Sequence, residues 1–177
     1  MNGQQYVAVA TGDMDNEIGT NGNGSSVVAI FRWNSTTGFF DLVQETDRDP
    51  GASSVAHFVI QDRSAQIVHY LAVSNSFTSA STEANVNVYR WSDRTDSFLW
   101  HHAVTVPFLL DDNGELLTNS AGMLSSERVR HFEVQGSAYL AVAYYQDTSE
   151  NTNVPSYIYR WNYYGQIVLE NGERVSG

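Results

Sequence analysis

A short motif recurs three times along the chain, and this repeat constrains the fold more than any other feature of the sequence. The motif is Tyr, then Leu or Val, then Ala-Val, and its copies begin at Tyr6, Tyr70 and Tyr139. Each copy is followed by a second motif in which an aromatic residue and Arg precede Trp: Phe31-Arg32-Trp33, Tyr89-Arg90-Trp91 and Tyr159-Arg160-Trp161. A unit that recurs in this way is a supersecondary element that must stack on its copies to bury its faces.

The composition is that of a folded, acidic protein. Of the 177 residues, 42% are hydrophobic and 12% aromatic, which is enough to build a substantial core. Twenty acidic residues against nine basic ones give a net charge of -11. This charge disfavours nucleic acid and anionic membrane surfaces as partners, because both attract cationic proteins. The absence of cysteine excludes disulfides and thiolate metal sites.

The sequence shows neither a targeting signal nor a transmembrane segment. Residues 1–5 have neither a charged start nor an apolar run, so we expect no signal peptide in this chain. A transmembrane helix needs about 18 consecutive apolar residues, and none of the segments approaches this. Membrane insertion is therefore not expected.

The repeated blocks have the chemistry of β-strands. Side chains alternate from Val86 to Trp91, which predicts Tyr89 and Trp91 on one face and Val86 and Val88 on the other. Four strand types can be defined: A ends in His-Phe-x-x-Gln (52–61 and 126–135), B is the Tyr-Leu-Ala-Val strand, C ends at Trp, and D follows a turn (39–44, 97–104 and 166–169). The predicted order is B-C-D, A-B-C-D, A-B-C-D, which makes eleven strands.

Four-stranded antiparallel units in tandem predict an all-β chain built from propeller blades. We expect a single repeat domain over residues 1–177, with blade 1 at 4–46, blade 2 at 51–106 and blade 3 at 122–172. A β-sandwich is the alternative, but it would not produce matching sequences at matching positions. Propellers close with roughly four to eight blades. About three blades therefore predict either part of a longer propeller or a ring completed by oligomerisation.

The pattern resembles a known family. A strand with His-Phe, a Tyr-Leu-Ala-Val strand and a Tyr-Arg-Trp-Asn strand before a turn are similar to the EAR repeat, also called EPTP or epilepsy-associated repeat, from Tyr6 to about Leu169. This resemblance implies the seven-bladed propeller of the leucine-rich glioma-inactivated proteins, an extracellular or cell-surface location, and recognition of other proteins. Many family repeats have an acid shortly before the His-Phe pair, where an ion can bind. Ser54 and Arg128 occupy those positions here, so the sequence departs from the family.

We expect a non-catalytic module that recognises a protein partner, and a basic one in particular, through its loops. The strand blocks repeat while the loops at 11–24, 76–85, 104–125 and 144–155 vary, and these are rich in Asn, Ser, Thr and acids. The candidate binding residues lie in or around these loops: Phe77, Glu83, Asp111, Asp112, Tyr145 and Asp147. The repeated Arg32, Arg90, Arg160, Trp33, Trp91 and Trp161 are expected to belong to the scaffold, because packing recurs in every unit.

Calcium is the single cofactor that the sequence suggests. Asp13, Asp15 and Glu17 place carboxylates at alternate positions, as at the start of a calcium loop. However, Ile18 and Gly24 stand where such a loop has its glycine and its closing glutamate. A solvated acidic loop is the alternative interpretation.

The histidines suggest strand positions rather than a site. His57 and His131 share one repeat position, which favours a structural role. His101 and His102 are adjacent in a D strand and are expected to point to opposite faces. His69 immediately precedes a B strand and is interpreted as incidental.

Two other functions remain open. A lectin would present an aromatic and polar sugar pocket in every blade. A glycosidase would need paired carboxylates near the channel, and Glu127 is the acid on an A strand that could serve. Motifs for nucleophilic, zinc or phosphate chemistry are absent from the sequence. Asn23 and Asn34 begin glycosylation sequons in predicted loops.

Overall fold

The computed structural model describes residues 3–11, 27–46, 49, 51–62, 64–76, 86–104, 124–147, 156–162 and 167–169. These residues form eleven β-strands: β1 Tyr6–Thr11, β2 Val27–Asn34, β3 Phe39–Glu45, β4 Ala52–Gln61, β5 Ile67–Asn75, β6 Val86–Ser92, β7 Ser97–Val104, β8 Leu124–Val134, β9 Ser137–Asp147, β10 Tyr157–Trp161 and β11 Ile167–Leu169. In this part of the chain there is no helix long and apolar enough to cross a membrane.

The strands form three antiparallel sheets in chain order. Sheet 1 is β1-β2-β3, sheet 2 is β4-β5-β6-β7, and sheet 3 is β8-β9-β10-β11. This confirms the all-β prediction and the predicted sequence of three, four and four strands. Sheets 1, 2 and 3 fall within 4–46, 51–106 and 122–172 respectively. The described strands do not close into a ring.

The hairpin between β8 and β9 shows how local sequence sets the register. Its two turn residues, Gln135 and Gly136, have φ values of 51° and 75°. A two-residue turn with positive φ at both positions matches the right-handed twist of the flanking strands, and glycine adopts it without strain. The ladder therefore runs from Val134 opposite Ser137, through Phe132 opposite Tyr139.

Sheet 2 is covered on both faces, and this is where the core lies. Alternate residues of β5 and β6 enter two different clusters. Leu71, Val73, Tyr89 and Trp91 pack with Val28 and Ile30 of sheet 1. Tyr70, Ala72, Val86 and Val88 pack with Leu140, Val142 and Tyr159 of sheet 3. The predicted alternation from Val86 to Trp91 is confirmed, because its two faces meet two different sheets.

The other faces of sheets 1 and 3 are less covered. We define the outer face of sheet 1 as Val7, Val9, Phe31, Trp33, Phe40 and Leu42, which are exposed or half-buried. We define the outer face of sheet 3 as Phe132, Tyr139, Ala141, Ala143, Ile158 and Arg160, which are also exposed or half-buried. The ladders join the members of each face: Phe31 lies opposite Val7 and Leu42, and Tyr139 opposite Phe132 and Arg160.

One strand runs further than the sequence suggested. The prediction of a loop from Tyr144 to Pro155 is wrong at its start, because β9 continues to Asp147. The extension pairs with the beginning of β8, where Leu124 lies opposite Asp147 and Ser125 opposite Gln146. Tyr145 is consequently a strand residue rather than a loop aromatic.

Candidate functional site

The two repeated motifs meet across the boundaries between sheets. Tyr6 of sheet 1 contacts Trp91 of sheet 2 edge to face, with ring centroids 5.1 Å apart. Tyr70 of sheet 2 contacts Trp161 of sheet 3 in the same manner at 4.6 Å. The first motif of one unit therefore contacts the second motif of the next. Trp91 is 7% exposed, so this aromatic is used for packing and is closed to a ligand.

Arg32 and Arg160 have structural partners, the first at a sheet boundary and the second on the outer face of sheet 3. Arg32 of β2 forms an ion pair of 3.1 Å with Asp96, in the β6–β7 turn of the next sheet. Asp96 also accepts a hydrogen bond of 3.3 Å from the Tyr6 hydroxyl. Arg160 lies over the ring of Tyr139, 6.0 Å from its centroid. Arg90 is exposed.

A buried carboxylate organises one end of sheet 2. Asp49 is 1% exposed and accepts hydrogen bonds from Tyr89 Oη at 2.7 Å and Asn87 Nδ2 at 3.0 Å. A longer contact of 3.4 Å comes from Asn75 Nδ2. Buried carboxylates are tolerated when several donors replace the lost water. Asp49 therefore ties the segment before β4 to strands β5 and β6.

The same end of sheet 2 is joined to sheet 3. The backbone N–H of Asn75 donates to Ser126 Oγ at 2.9 Å, and that hydroxyl donates to the Asn75 carbonyl at 3.1 Å. Ser53 Oγ donates to the Ser126 carbonyl at 2.7 Å. These bonds lie beside the Asp49 cluster, so both the buried acid and the serines are structural.

An acidic cleft opens between sheets 1 and 2, at the end where the β2–β3 and β6–β7 turns lie side by side. Its volume is about 500 Å³. The lining residues are Gln4, Arg32, Trp33, Asn34, Ser35, Asp41, Asp93 and Asp96. Three carboxylates against one guanidinium make the lining negative, which favours a cationic group.

Each carboxylate of the cleft is held by a neighbour. Asp41 Oδ2 accepts a hydrogen bond from Asn34 Nδ2 at 2.8 Å, and Asp93 Oδ1 accepts one from Trp91 Nε1 at 2.9 Å. Asp96 binds Arg32. A carboxylate can accept several hydrogen bonds, so these contacts fix the acids in place and leave them able to accept more. The cleft is thus an ordered acceptor surface.

Sequence reasoning missed this cleft, although a signal for it exists. Asp93 and Asp96 follow Trp91 by two and five positions, and Asn34 and Ser35 follow Trp33 directly. Because the repeat places both turns at the same end of adjacent sheets, the polar residues after each repeated Trp are brought together. The predicted binding residues lie instead in or around the longer loops.

Most of those predicted loop residues lie outside the described part of the chain. Phe77, Glu83, Asp111 and Asp112 belong to this group, as do the calcium candidates Asp13, Asp15 and Glu17, and the sequon at Asn23. Of the others, Tyr145 is 53% exposed, and Asp147 is the last residue of β9. Among the residues that the structure describes, there is no group of three or more histidines or acids able to hold a metal ion.

Two other sequence candidates have definite environments. The Oδ1 of Asn34 accepts backbone hydrogen bonds from Thr36 at 3.0 Å and Thr37 at 3.3 Å, so its side chain shapes the β2–β3 turn. Glu127 is exposed beside a register shift in β8, where the pairing passes from Ser126 to Arg128.

His69, interpreted from the sequence as incidental, has a close neighbour on the adjacent strand. Its Nδ1 lies 3.0 Å from Nε2 of His57 on the neighbouring strand, and the two rings are stacked at 5.2 Å. One nitrogen must donate and the other accept, so at least one ring is neutral. Burial lowers the pKa of His57, and the nearby His131 lowers it further. Burial likewise lowers the pKa of His69.

His101 and His102 do not point to opposite faces, which corrects the other histidine prediction. The ladder of β6 and β7 shifts between Val88 opposite His102 and Tyr89 opposite Trp100, so His101 is an extra residue in a β-bulge. The two imidazoles lie 4.9 Å apart and both contact Trp161 of sheet 3, at 6.3 Å and 6.0 Å. Burial, and then the neighbouring His101, lower the pKa of His102 to about 4.

The comparisons with known proteins assign no family to this arrangement. Neither a protein-family model nor a curated protein matches the chain.

Proposed function

We propose that the chain is part of a β-propeller of the EAR-repeat type, whose blades are sheets 1, 2 and 3, and that it binds a protein partner without catalysis. Two features support this architecture. The sheets stack face to face in chain order, and the Tyr–Trp contact recurs at both boundaries between them. An extracellular or cell-surface location follows from the resemblance to that repeat family.

We propose further that the acidic cleft recognises a basic segment of the partner. The observation that supports this is the lining itself, which contains three carboxylates, those of Asp41, Asp93 and Asp96, and a single arginine. A lysine or arginine side chain entering the cleft would add charge-assisted hydrogen bonds to acids that are already oriented. The net charge of -11 attracts such a segment from a distance.

Carbohydrate is the second candidate ligand, because the cleft also holds Trp33 beside the amides of Gln4 and Asn34. An aromatic face next to amides and carboxylates suits a sugar. Against this, the equivalent Trp91 of sheet 2 is buried in the sheet boundary, so the arrangement does not recur in every unit as a multivalent lectin would require. The protein partner is therefore the preferred proposal.

The test is peptide binding by fluorescence anisotropy, with a labelled hexa-arginine peptide as the probe. We expect saturable binding that weakens as salt is raised, because exposed charges are screened. Asp41→Asn and Asp93→Asn should each weaken binding by about five-fold, equivalent to about 1 kcal/mol. Glu45→Gln, which removes an exposed charge on β3 outside the cleft, is the matched control and should change it less than two-fold.

If Glu45→Gln lowered the affinity for the peptide as much as the cleft variants do, the peptide would be responding only to net charge. That result would contradict the cleft as the binding site. A glycan array provides the other arm. Saturable oligosaccharide binding that Asp41→Asn abolishes, together with no peptide binding, would replace the protein partner with a sugar.

A further inference from the structure

We infer that the outer face of sheet 3 in one copy of the chain packs against the outer face of sheet 1 in a second copy. The contact would reproduce the sheet boundary that the chain already contains twice. Of the residues that define these two faces, Trp33 also lines the acidic cleft and the others do not. Residues at equivalent positions of the repeat, on covered and on uncovered faces, support this contact between copies.

The aromatic pair on the outer face of sheet 1 has the geometry of a pair that is covered elsewhere. Trp33 and Phe40 are opposite each other in the ladder, with ring centroids 5.1 Å apart at 65°. Trp91 and Phe98 of sheet 2 are opposite each other as well, 5.1 Å apart at 71°. In sheet 2 this pair belongs to the core shared with sheet 1. Trp33 and Phe40 are thus arranged to meet a further sheet.

The outer face of sheet 3 carries the complementary half. Phe132 and Tyr139 are stacked with centroids 5.3 Å apart at 15°, and Phe58 and Tyr70 of sheet 2 are stacked at 5.3 Å and 16°. Trp161 packs on that covered pair, 5.6 Å from Phe58 and 4.6 Å from Tyr70. The stack of Phe132 and Tyr139 is therefore a preformed packing surface for a tryptophan in the position of Trp33.

Residues with small or aliphatic side chains differ in their exposed fraction between covered and uncovered faces. Leu71 and Val73 of β5 are 2% and 0% exposed where sheet 1 packs on them. Val7 and Val9, at the equivalent positions of the repeat in sheet 1, are each 42% exposed. Ala72 of sheet 2 is 0% exposed, whereas the equivalent Ala141 is half-buried. The uncovered surfaces keep apolar residues at the positions that a neighbouring sheet buries.

A second copy of the chain is the occupant that fits best, because each chain carries both halves of the contact at opposite ends. Such a contact is head to tail, and it generates either a closed ring or an open filament depending on the rotation between copies. One internal contact has no counterpart: Gly38 stands in the β2–β3 turn where Asp96 stands in the β6–β7 turn. The ion pair of Arg32 with Asp96 is thus not repeated between copies. Raising the salt concentration should therefore not weaken the association, because the contact is apolar and salt screens the repulsion between two chains of charge -11.

The test is the molar mass of the intact chain by light scattering and sedimentation velocity, over a range of concentrations and at two salt concentrations. We expect the mass to rise above that of the monomer and to persist at high salt. Leu42→Arg, on the outer face of sheet 1, and Ala141→Arg, on that of sheet 3, should each give a monomer. Ile67→Arg, at an exposed position of sheet 2, is the control and should associate like the wild type.

Mixing the two monomeric variants is the decisive arm. The Leu42→Arg chain keeps an intact sheet 3 face and the Ala141→Arg chain an intact sheet 1 face, so together they can form one contact and no more. We expect a discrete dimer from the mixture. Circular dichroism verifies that each variant is folded. If Leu42→Arg does not fold, Val9→Arg on the same face of sheet 1 replaces it. If Ala141→Arg does not fold, Ala143→Arg on the same face of sheet 3 replaces it.

Three outcomes would overturn the inference. They are a wild type that stays monomeric at the highest concentration, dissociation caused by only one of the two substitutions, and a mixture that remains monomeric. A single effective substitution would indicate pairing of like faces or another occupant of that face.

Discussion

Tyr70 of β5 and Trp161 of β10 meet edge to face at 4.6 Å, although one begins a repeat motif in the second unit and the other ends a motif in the third. The same relationship joins Tyr6 to Trp91 one unit earlier. The two motifs are thus recurrent because they are the two sides of one contact. Their recurrence reflects packing between units more than the internal structure of any unit.

This contact should be measurable as a coupling energy. Tyr70→Leu and Trp161→Leu are each expected to destabilise the fold, and a double-mutant cycle should give a coupling of about 0.5 to 1.5 kcal/mol. Urea unfolding followed by circular dichroism is the measurement. A parallel cycle of Trp161→Leu with Tyr145→Leu, an exposed residue of β9, should give a coupling near zero. Equal couplings in the two cycles would contradict the edge-to-face assignment.

The hydroxyl of Tyr89 should contribute to the stability of the fold through its hydrogen bond to Asp49. Tyr89→Phe removes the 2.7 Å hydrogen bond to the buried Asp49, and we expect a loss of about 1.5 to 3 kcal/mol in the free energy of unfolding. In an Asp49→Ala background, the same substitution should cost much less, because the acceptor is gone. Denaturant unfolding of the four proteins tests this. A cost that is unchanged by Asp49→Ala would show that the bond contributes nothing.

Neighbouring residues of β9 should differ sharply because they lie on opposite faces. Leu140 is 2% exposed in the core shared with sheet 2, and Leu140→Ala is expected to cost about 2 to 5 kcal/mol. Tyr139 lies on the outer face of sheet 3, so Tyr139→Ala should cost less than half as much. The two variants should be compared in thermal or urea unfolding at low protein concentration. Similar losses would mean that the outer face is buried in solution.

Stability should fall as the pH is lowered from 7 to 5. The folded protein lowers the pKa of His102 to about 4, whereas an unfolded histidine titrates near 6.5. The unfolded state then binds the extra proton, so the stabilising effect is complete above about 6.5 and is lost progressively down to about 4. His57, His69 and His131 act in the same direction, since burial lowers the pKa of each.

The measurement is the urea midpoint at pH 7, 6 and 5. His102→Asn should be less sensitive to pH than the wild type, because it removes the group with the large shift. A wild-type midpoint that rises towards pH 5, or a slope that His102→Asn leaves unchanged, would contradict the assignment of this dependence to His102.

Strand positions were predictable where the alternation of side chains and the turn-forming residues indicate the same bounds. The sequence predicts Ala52–Gln61 and Ser97–Val104, and these are the bounds of β4 and β7. Alternation sets the faces of such segments, and Gly, Asn and Asp clusters end them. At Tyr145 the two signals separate, because β9 continues into polar residues that resemble a loop. Pairing with β8 determines that extension. The sequence of a strand does not by itself identify the strand with which it pairs.

The histidines and Asp49 show a second limit. The pair of His57 with His69 requires knowledge that β4 and β5 are neighbours in a given register, and the bulge at His101 depends on the strand opposite. Asp49 lies in a stretch of Asp, Arg, Pro and Gly that is typical of an exposed turn. It has no counterpart in the other units. The repeat therefore offered no sign that this acid is buried.

The division of the Tyr–Trp contact between successive units has a consequence for how such a chain can evolve. A duplication of one unit would carry a tyrosine for the unit after it and a tryptophan for the unit before it. The new copy would fit between existing copies without a change at any other position. Growth and shrinkage in the number of units can then precede any refinement of sequence, and selection can act separately on the turns that line the cleft.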